Sequence, residues 1–245
     1  MNFFGIAYKA YSAFWHSINW VFPASCVGCG KQGEALCSDC LFDIRRIGNH
    51  VCEICGKNLI NKRICSRCLR LKPNFDAMRA VAWYEGTIRN AIHQLKYQRE
   101  IGLAFELSKI LIDYYQNLAW SFDLVAPIPL NENRQKERGY NQSALLALPL
   151  ALYYGAKFQP QIIVRIKDTP SQVGLSIQER RQNVHKAFKA DSRLVSGKHI
   201  LLVDDVITTG ATMDSAASAL KEAGAKKVYC LSLAHAIYTK EHVIS

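Results

Sequence analysis

Polar residues recur at Lys9, Ser12, His16 and Asn19, three or four apart, while Phe4, Tyr8, Tyr11, Trp15, Ile18 and Phe22 take the opposite face. That period predicts an amphipathic helix within residues 1–25, packed on its own protein in preference to a membrane surface. The pattern then breaks into a cysteine-rich stretch, residues 26–72, without helical or strand period. Apolar runs resume after Pro73. Strands are predicted at 79–83, 122–126, 162–165, 200–203 and 228–234, and helices at 87–97, 103–118, 142–154 and 212–223, with a loop before residue 142. Alternating elements of these lengths imply an α/β fold: a mostly parallel sheet covered by helices, spanning residues 76–238, with the domain boundary near 70–76.

Composition agrees with a folded chain. Of 245 residues, 49% are hydrophobic and 21% charged, proportions that exclude a disordered or collagen-like protein. No apolar run is long enough to span a bilayer, and the amino terminus lacks a basic start and a small-residue cleavage site, so no transmembrane segment or signal peptide is expected. The expected location is the reducing cytoplasm. The net charge of +11 points to a polyanion or a phosphorylated ligand as partner. Binding two Zn²⁺ through eight thiolates lowers that figure by four, to +7.

Eight of the nine cysteines lie between Cys26 and Cys68. Residues 26–41 read CVGCGKQGEALCSDCL and residues 52–69 read CEICGKNLINKRICSRCL, two copies of one C-x-x-C-G-K…C-S-x-C-L unit. A C-x-x-C knuckle turns two sulfurs onto one ion, and two knuckles complete a tetrahedral shell, so zinc is the expected metal and an iron–sulfur cluster the weaker alternative. Two pairings are open. The simpler is sequential, with Cys26, Cys29, Cys37 and Cys40 on one ion and Cys52, Cys55, Cys65 and Cys68 on the other; the second crosses the units. Such a short segment buries too little apolar surface to fold alone, which makes the metals structural. Cys230 reads as a buried strand cysteine, and His93, His185, His199 and His235 lack ligand spacing.

Residues 200–212, ILLVDDVITTGAT, carry the most chemistry. Four apolar residues form a strand, Asp204 and Asp205 stand at its carboxyl end, and a Thr/Gly turn opens a helix. Ligands of parallel sheets bind at that end of the strands. The turn offers backbone N–H groups and hydroxyls to an anion at a helix amino terminus, and Gly210 permits close approach. Two acids beside a phosphate would repel it, so they call for hydroxyls and a magnesium-bound ligand. A sugar phosphate satisfies both.

All thirteen positions resemble the phosphoribosyl pyrophosphate (PRPP) signature of the type I phosphoribosyltransferases. The resemblance implies a parallel sheet flanked by helices, preceded here by the small zinc-ribbon module with its four-cysteine sites. It assigns Asp204 and Asp205 to the ribose hydroxyls, Thr208, Thr209, Gly210, Ala211 and Thr212 to the 5′-phosphate, and Mg²⁺ to the pyrophosphate. Pro127, Ile128 and Pro129 match the family's pyrophosphate loop, with Arg134, Lys136 and Arg138 just beyond. Residues 165–183 resemble its mobile loop, where Arg165, Lys167, Gln172, Arg180 and Arg181 are candidates for covering the leaving group, Arg165 and Lys167 as catalytic residues with the two acids.

The cysteine unit, Tyr84-x-Gly86, Lys96-Tyr97, Pro127-Ile128-Pro129, Arg138-Gly-Tyr-Asn-Gln142, Gln172, Arg180-x-x-Asn183 and the phosphate signature together resemble the ComF family over residues 20–236. That resemblance implies a PRPP- and Mg²⁺-binding phosphoribosyltransferase of unknown acceptor, involved in the uptake or handling of single-stranded DNA in natural transformation beside a helicase-like competence ATPase. Thr208 stands where members acting on 6-oxopurines carry an acid, which argues against that acceptor. The rival is a phosphoribosyltransferase fold that binds a phosphorylated ligand or nucleic acid without turnover, using basic and aromatic residues at Tyr84, Lys96, Tyr97 and Tyr140.

Overall fold

The computed structural model describes residues 3–59, 63–167 and 187–236. Five parallel strands form one sheet in the order β1-β7-β6-β2-β3: β1 (Ala77–Trp83), β2 (Leu124–Pro127), β3 (Lys157–Phe158), β6 (His199–Ile207) and β7 (Lys227–His235). Two short strands, β4 (Ile163–Arg165) and β5 (Phe188–Ala190), pair antiparallel as a separate ribbon, so the strand expected at 162–165 is not part of the main sheet.

The central strands are nearly continuous apolar runs because both faces are covered, as all-parallel sheets require. On β6, Leu201 and Val203 face a core made with α4 (Gly86–Tyr97), α5 (Leu103–Tyr115) and α7 (Gln142–Tyr154). Ile200 and Leu202 face the other core, shared with β4, β5 and α9 (Ala211–Glu222), the last helix among the described residues. Val206 returns to the first core and Ile207 to the second. The alternation therefore breaks between residues 203 and 206, where the two aspartates stand.

The ribbons are not a detached module. Val27, Ala35 and Ile44 of the first unit belong to the same core as α4 and α5, while Ile54 and Cys55 of the second pack on the opposite core. Between the units, residues 45–47 run antiparallel along β1: Trp83 N–H donates to Arg45 O at 3.0 Å and Ile47 N–H to Val81 O at 2.9 Å.

The amino-terminal helix α1 (Phe3–Val21) packs on its own protein, with Trp15 buried and Tyr8 and Tyr11 set against Phe105 of α5. Its end departs from the expected stripe, for Phe22 is exposed. Two very short helices, α2 (Ser38–Phe42) and α3 (Ser66–Leu71), start within the second knuckle of each cysteine unit, capped by Cys37 and Cys65 and containing Cys40 and Cys68. Where a loop was expected, residues 132–138 form α6 (Glu132–Arg138), capped by the Asn131 side chain on Arg134 N–H and ended by Gly139 at φ +84°. α8 (Ser192–Val195) is a single turn before β6.

Candidate functional site

The structure gathers the cysteines sequentially. Cys26, Cys29, Cys37 and Cys40 form one cluster and Cys52, Cys55, Cys65 and Cys68 the other, with the sulfurs of each within 4.8 Å of one another. Sulfurs at the corners of a tetrahedron around zinc lie about 3.8 Å apart, from Zn–S bonds of about 2.3 Å. Cys26–Cys37, Cys29–Cys37 and Cys55–Cys65 measure 3.6, 3.7 and 3.7 Å. In both units a backbone N–H backs the first sulfur: Cys37 N–H donates to Cys26 Sγ and Cys65 N–H to Cys52 Sγ, each 3.4 Å. At Cys26, burial opposes ionisation, yet the amides of Cys37, Cys29 and Gly28 outweigh it and bring the thiol down to about 6. Both clusters fit structural zinc. Metal analysis of reduced protein is expected to give two zinc ions per chain; one ion or none refutes the two-centre assignment.

The second constellation is built where β6 ends against three helices. Asp205, almost wholly buried, forms an ion pair of 2.6 Å with Lys96 Nζ at the end of α4. Its other oxygen, Oδ1, accepts from Val206 N–H at 2.7 Å. Asp204 Oδ1 accepts from Ser143 Oγ at 2.7 Å and from Asp205 N–H at 2.9 Å. Both carboxylates thus fold back onto the backbone that the broken strand alternation frees. Burial of Asp204, reinforced by the neighbouring Asp205 charge, raises its pKa to about 7. Burial works against the Lys96 charge, but the facing Asp205 carboxylate more than compensates and holds the ammonium above its ordinary range.

A carboxylate raised this way destabilises the fold as pH rises. Between about pH 4 and 7 the folded chain keeps a proton on Asp204 that the unfolded chain has released, so stability falls through that window. Asp204→Asn removes the loss. Its stability relative to the parent is expected to be higher at pH 8 than at pH 4.5 in urea titrations; a pH-independent difference refutes the raised pKa.

The Thr/Gly loop follows directly. Thr209 is buried, its Oγ1 accepts from Ala211 N–H at 3.3 Å, and Gly210 takes φ +77° at the start of α9, a conformation costly for a side chain. Beside it, Pro127 of β2 pairs with Val203, and Ile128 N–H donates to Val203 O at 2.9 Å, so residues 127–129 emerge next to the acids. Asn141 ties this loop to α7: its side chain donates to Ile128 O and accepts from Ser143 N–H, each 2.9 Å. Arg138 hydrogen-bonds Gln142 and lies 5.5 Å from the Tyr97 ring centre, and a cleft lined by Lys96, Tyr97, Arg99, Glu137 and Arg138 opens beside the ion pair.

Arg165 stacks at 5.6 Å on Phe188 of its own β4–β5 ribbon, and Lys167 is exposed just past it. Gln172, Arg180, Arg181 and Asn183 lie outside the described residues. Cys230 is fully buried in β7, as expected. Sequence reasoning left Ser143 out of the site, and it named Lys96 through the family resemblance and as a nucleic-acid contact but not as the partner of Asp205. Lys96 follows Ile88 and Ile92 on one stripe of α4, and Ser143 precedes Leu146, Ala147 and Leu150 on α7. A polar residue on a core-facing stripe was the available signal.

Comparison with known proteins accords with this geometry. Residues 17–69 match the family described as double zinc ribbon domain, and residues 147–244 the phosphoribosyl transferase domain. Competence protein F of Haemophilus influenzae is 30% identical over 229 residues, covering 88% of this chain and 98% of that protein. The chain belongs to the ComF family. Another relative, DNA utilization protein YhgH of Salmonella typhimurium, is 33% identical over 204 residues, which cover 80% of this chain and 89% of that protein. Among solved structures, a glutamine PRPP amidotransferase from B. subtilis matches 58% of this ComF chain and 30% of its own, at 20% identity and a TM-score of 0.41. Within the described residues of this ComF protein, no helix is long and apolar enough to cross a membrane.

Proposed function

We propose that this protein binds PRPP with Mg²⁺ at the carboxyl end of β6, as a phosphoribosyltransferase working on single-stranded DNA or its components in the cytoplasm. The observation that supports this most directly is the placement of two partly or fully buried carboxylates immediately before a Thr/Gly loop at a helix amino terminus, with the 127–129 loop alongside. Asp204 and Asp205 would accept hydrogen bonds from the ribose hydroxyls, Asp204 through Oδ2, since its Oδ1 already accepts from Ser143 and the Asp205 amide, and Asp205 through acceptor positions beyond those that Val206 N–H and Lys96 use. Backbone N–H groups of residues 208–212 would hold the 5′-phosphate. The 127–129 loop and Arg138 would face the pyrophosphate, where Mg²⁺ offsets the leaving-group charge. Arg165 and Lys167, at the start of a segment that otherwise lies outside the described residues, would help to cover the departing pyrophosphate.

Lys96 keeps the acids from repelling each other before a ligand arrives, since two adjacent buried carboxylates cannot both ionise cheaply. The DNA component rests on the names of the relatives and on the cationic, aromatic cleft beside the ion pair. The test is calorimetric titration with PRPP and Mg²⁺, followed by assays of pyrophosphate release with bases, nucleosides and oligonucleotides. Binding with release supports the enzyme; binding without release leaves a PRPP-binding protein that does not turn over; failure to bind refutes the site.

A further inference from the structure

The two ribbons share one cysteine pattern but dock on different parts of the sheet. Between the last two cysteines of its unit, the first ribbon carries the exposed Asp39 and the second carries Arg67. Arg67 reaches out of α3 and donates from Nη2 to the Thr209 carbonyl at 2.9 Å, inside the phosphate loop and 142 residues away. Just past α3, Asn74 donates from its backbone N–H and side-chain Nδ2 to Asp214 Oδ1, at 2.6 and 3.2 Å, in the first turn of α9.

A second connection runs through the other knuckle. Ile54, between Cys52 and Cys55, accepts from Met78 N–H at 2.6 Å, and Gly56 sits so close that a Cβ there would meet Met78 O at 2.7 Å. The far end of Met78 lies against Gly210, where a Cβ would come within 3.0 Å of Met78 Cε. Both halves of the second centre therefore reach the Thr209–Gly210 peptide, one by Arg67 and one by Met78. The first centre looks elsewhere: Gly28 is wedged between Cys40 and Thr87 at the start of α4.

We propose that Arg67 is a positioning residue of the phosphate loop and that the second metal centre, but not the first, is coupled to ligand binding at that loop. The inference rests on the phosphate reading above. Its physical basis is peptide planarity: in a trans peptide, C=O and N–H point in opposite directions. With the Thr209 carbonyl drawn to the guanidinium, the Gly210 N–H is turned away from α3 and held there before any phosphate arrives. Preorganisation of this kind strengthens anion binding by removing the ordering cost from the binding step. Linkage makes the effect reciprocal, so a ligand that holds the loop must also help to hold the second zinc.

The experiment uses the full chain with both metals. Zinc release to a chromophoric chelator is followed with and without PRPP and Mg²⁺, and cysteine alkylation of partly stripped protein shows which centre has emptied. PRPP is expected to slow the loss of one zinc about tenfold and to protect Cys52, Cys55, Cys65 and Cys68, leaving the first centre unchanged. Arg67→Ala should bind PRPP about tenfold more weakly, from the loss of one charge-assisted hydrogen bond, and should lose the protection; Arg67→Lys should recover part of both. Asp39→Ala, altering the matching position of the first unit, should change neither. Should Arg67→Ala fail to fold by circular dichroism, Arg67→Lys and Arg67→Gln carry the comparison. A parent chain that binds PRPP yet releases both zincs at unchanged rates, or an Arg67 variant that keeps full affinity and protection, overturns the coupling alone. A parent chain that does not bind PRPP overturns the phosphate reading and the coupling together.

Discussion

Lys96→Met is expected to destabilise the fold by about 3–5 kcal/mol, the usual cost of leaving one member of a buried ion pair without its partner. Asp205 is only 4% exposed at its side chain, and Lys96 Nζ is 2.6 Å from it, so water cannot readily replace the lost charge. The methionine fills much of the lysine stem's volume, which separates lost charge from lost packing. Adding Asp205→Asn should restore most of the stability, since the double variant buries neither charge. Denaturant unfolding of the two single variants and the double completes a thermodynamic cycle. A Lys96→Met cost below about 1 kcal/mol, typical of solvent-exposed pairs, would show that the pair is hydrated.

The acids themselves give the largest effect on binding. Above about pH 7, where Asp204 is ionised, Asp204→Asn and Asp205→Asn would each remove charged hydrogen-bond acceptors from the ribose, a loss of about 1.5–3 kcal/mol or roughly ten- to hundredfold in affinity. In the double variant PRPP binding should fall below detection. If instead this end of the sheet serves only as a cationic surface for nucleic acid, removing two negative charges should leave single-strand affinity unchanged or increase it, with the difference shrinking at high salt. The two readings predict opposite signs. Titration of both ligands into the double variant, with circular dichroism to confirm folding, separates them; retained PRPP binding removes these acids from the site.

Much of this architecture can be read from the chain alone, for identifiable reasons. The repeated cysteine unit specifies its metal geometry through local spacing, and the structure brings each set of four together within its own unit. Residues 200–212 could be recognised because strand, acids, loop and helix are contiguous. Their strand extends further than its apolar run predicts. It continues through both aspartates to Ile207 because β7 runs alongside as far as His235. α6 escaped notice because none of its residues is buried, and a helix without an apolar stripe has no period to detect.

The partnerships within the site were less legible. Lys96 and Asp205, Ser143 and Asp204, and Arg67 and Thr209 meet across large separations in sequence. The acids, the loop and Lys96 could be named from their motifs, but not which of them meet, and Ser143 could be flagged only as a polar residue in an unusual place. The stripe on α4 marks Lys96 as anomalous without saying which carboxylate it meets. Arg67 occupies the one variable position between two cysteines of the motif, and nothing in the motif marks that position for a contact with a distant loop.

The short pairing of residues 45–47 with β1 has a consequence for solubility. In the order β1-β7-β6-β2-β3, the outer strand β3 has only two residues, whereas β1 has seven and would present an open row of amide and carbonyl groups. Such a border recruits strands from neighbouring molecules. Here the chain linking the two metal units occupies part of that border, donating from Ile47 and accepting from Trp83. The cysteine-rich segment is therefore also a guard against self-association, and a fragment beginning after it would carry its longest sheet border uncovered into a crowded cell.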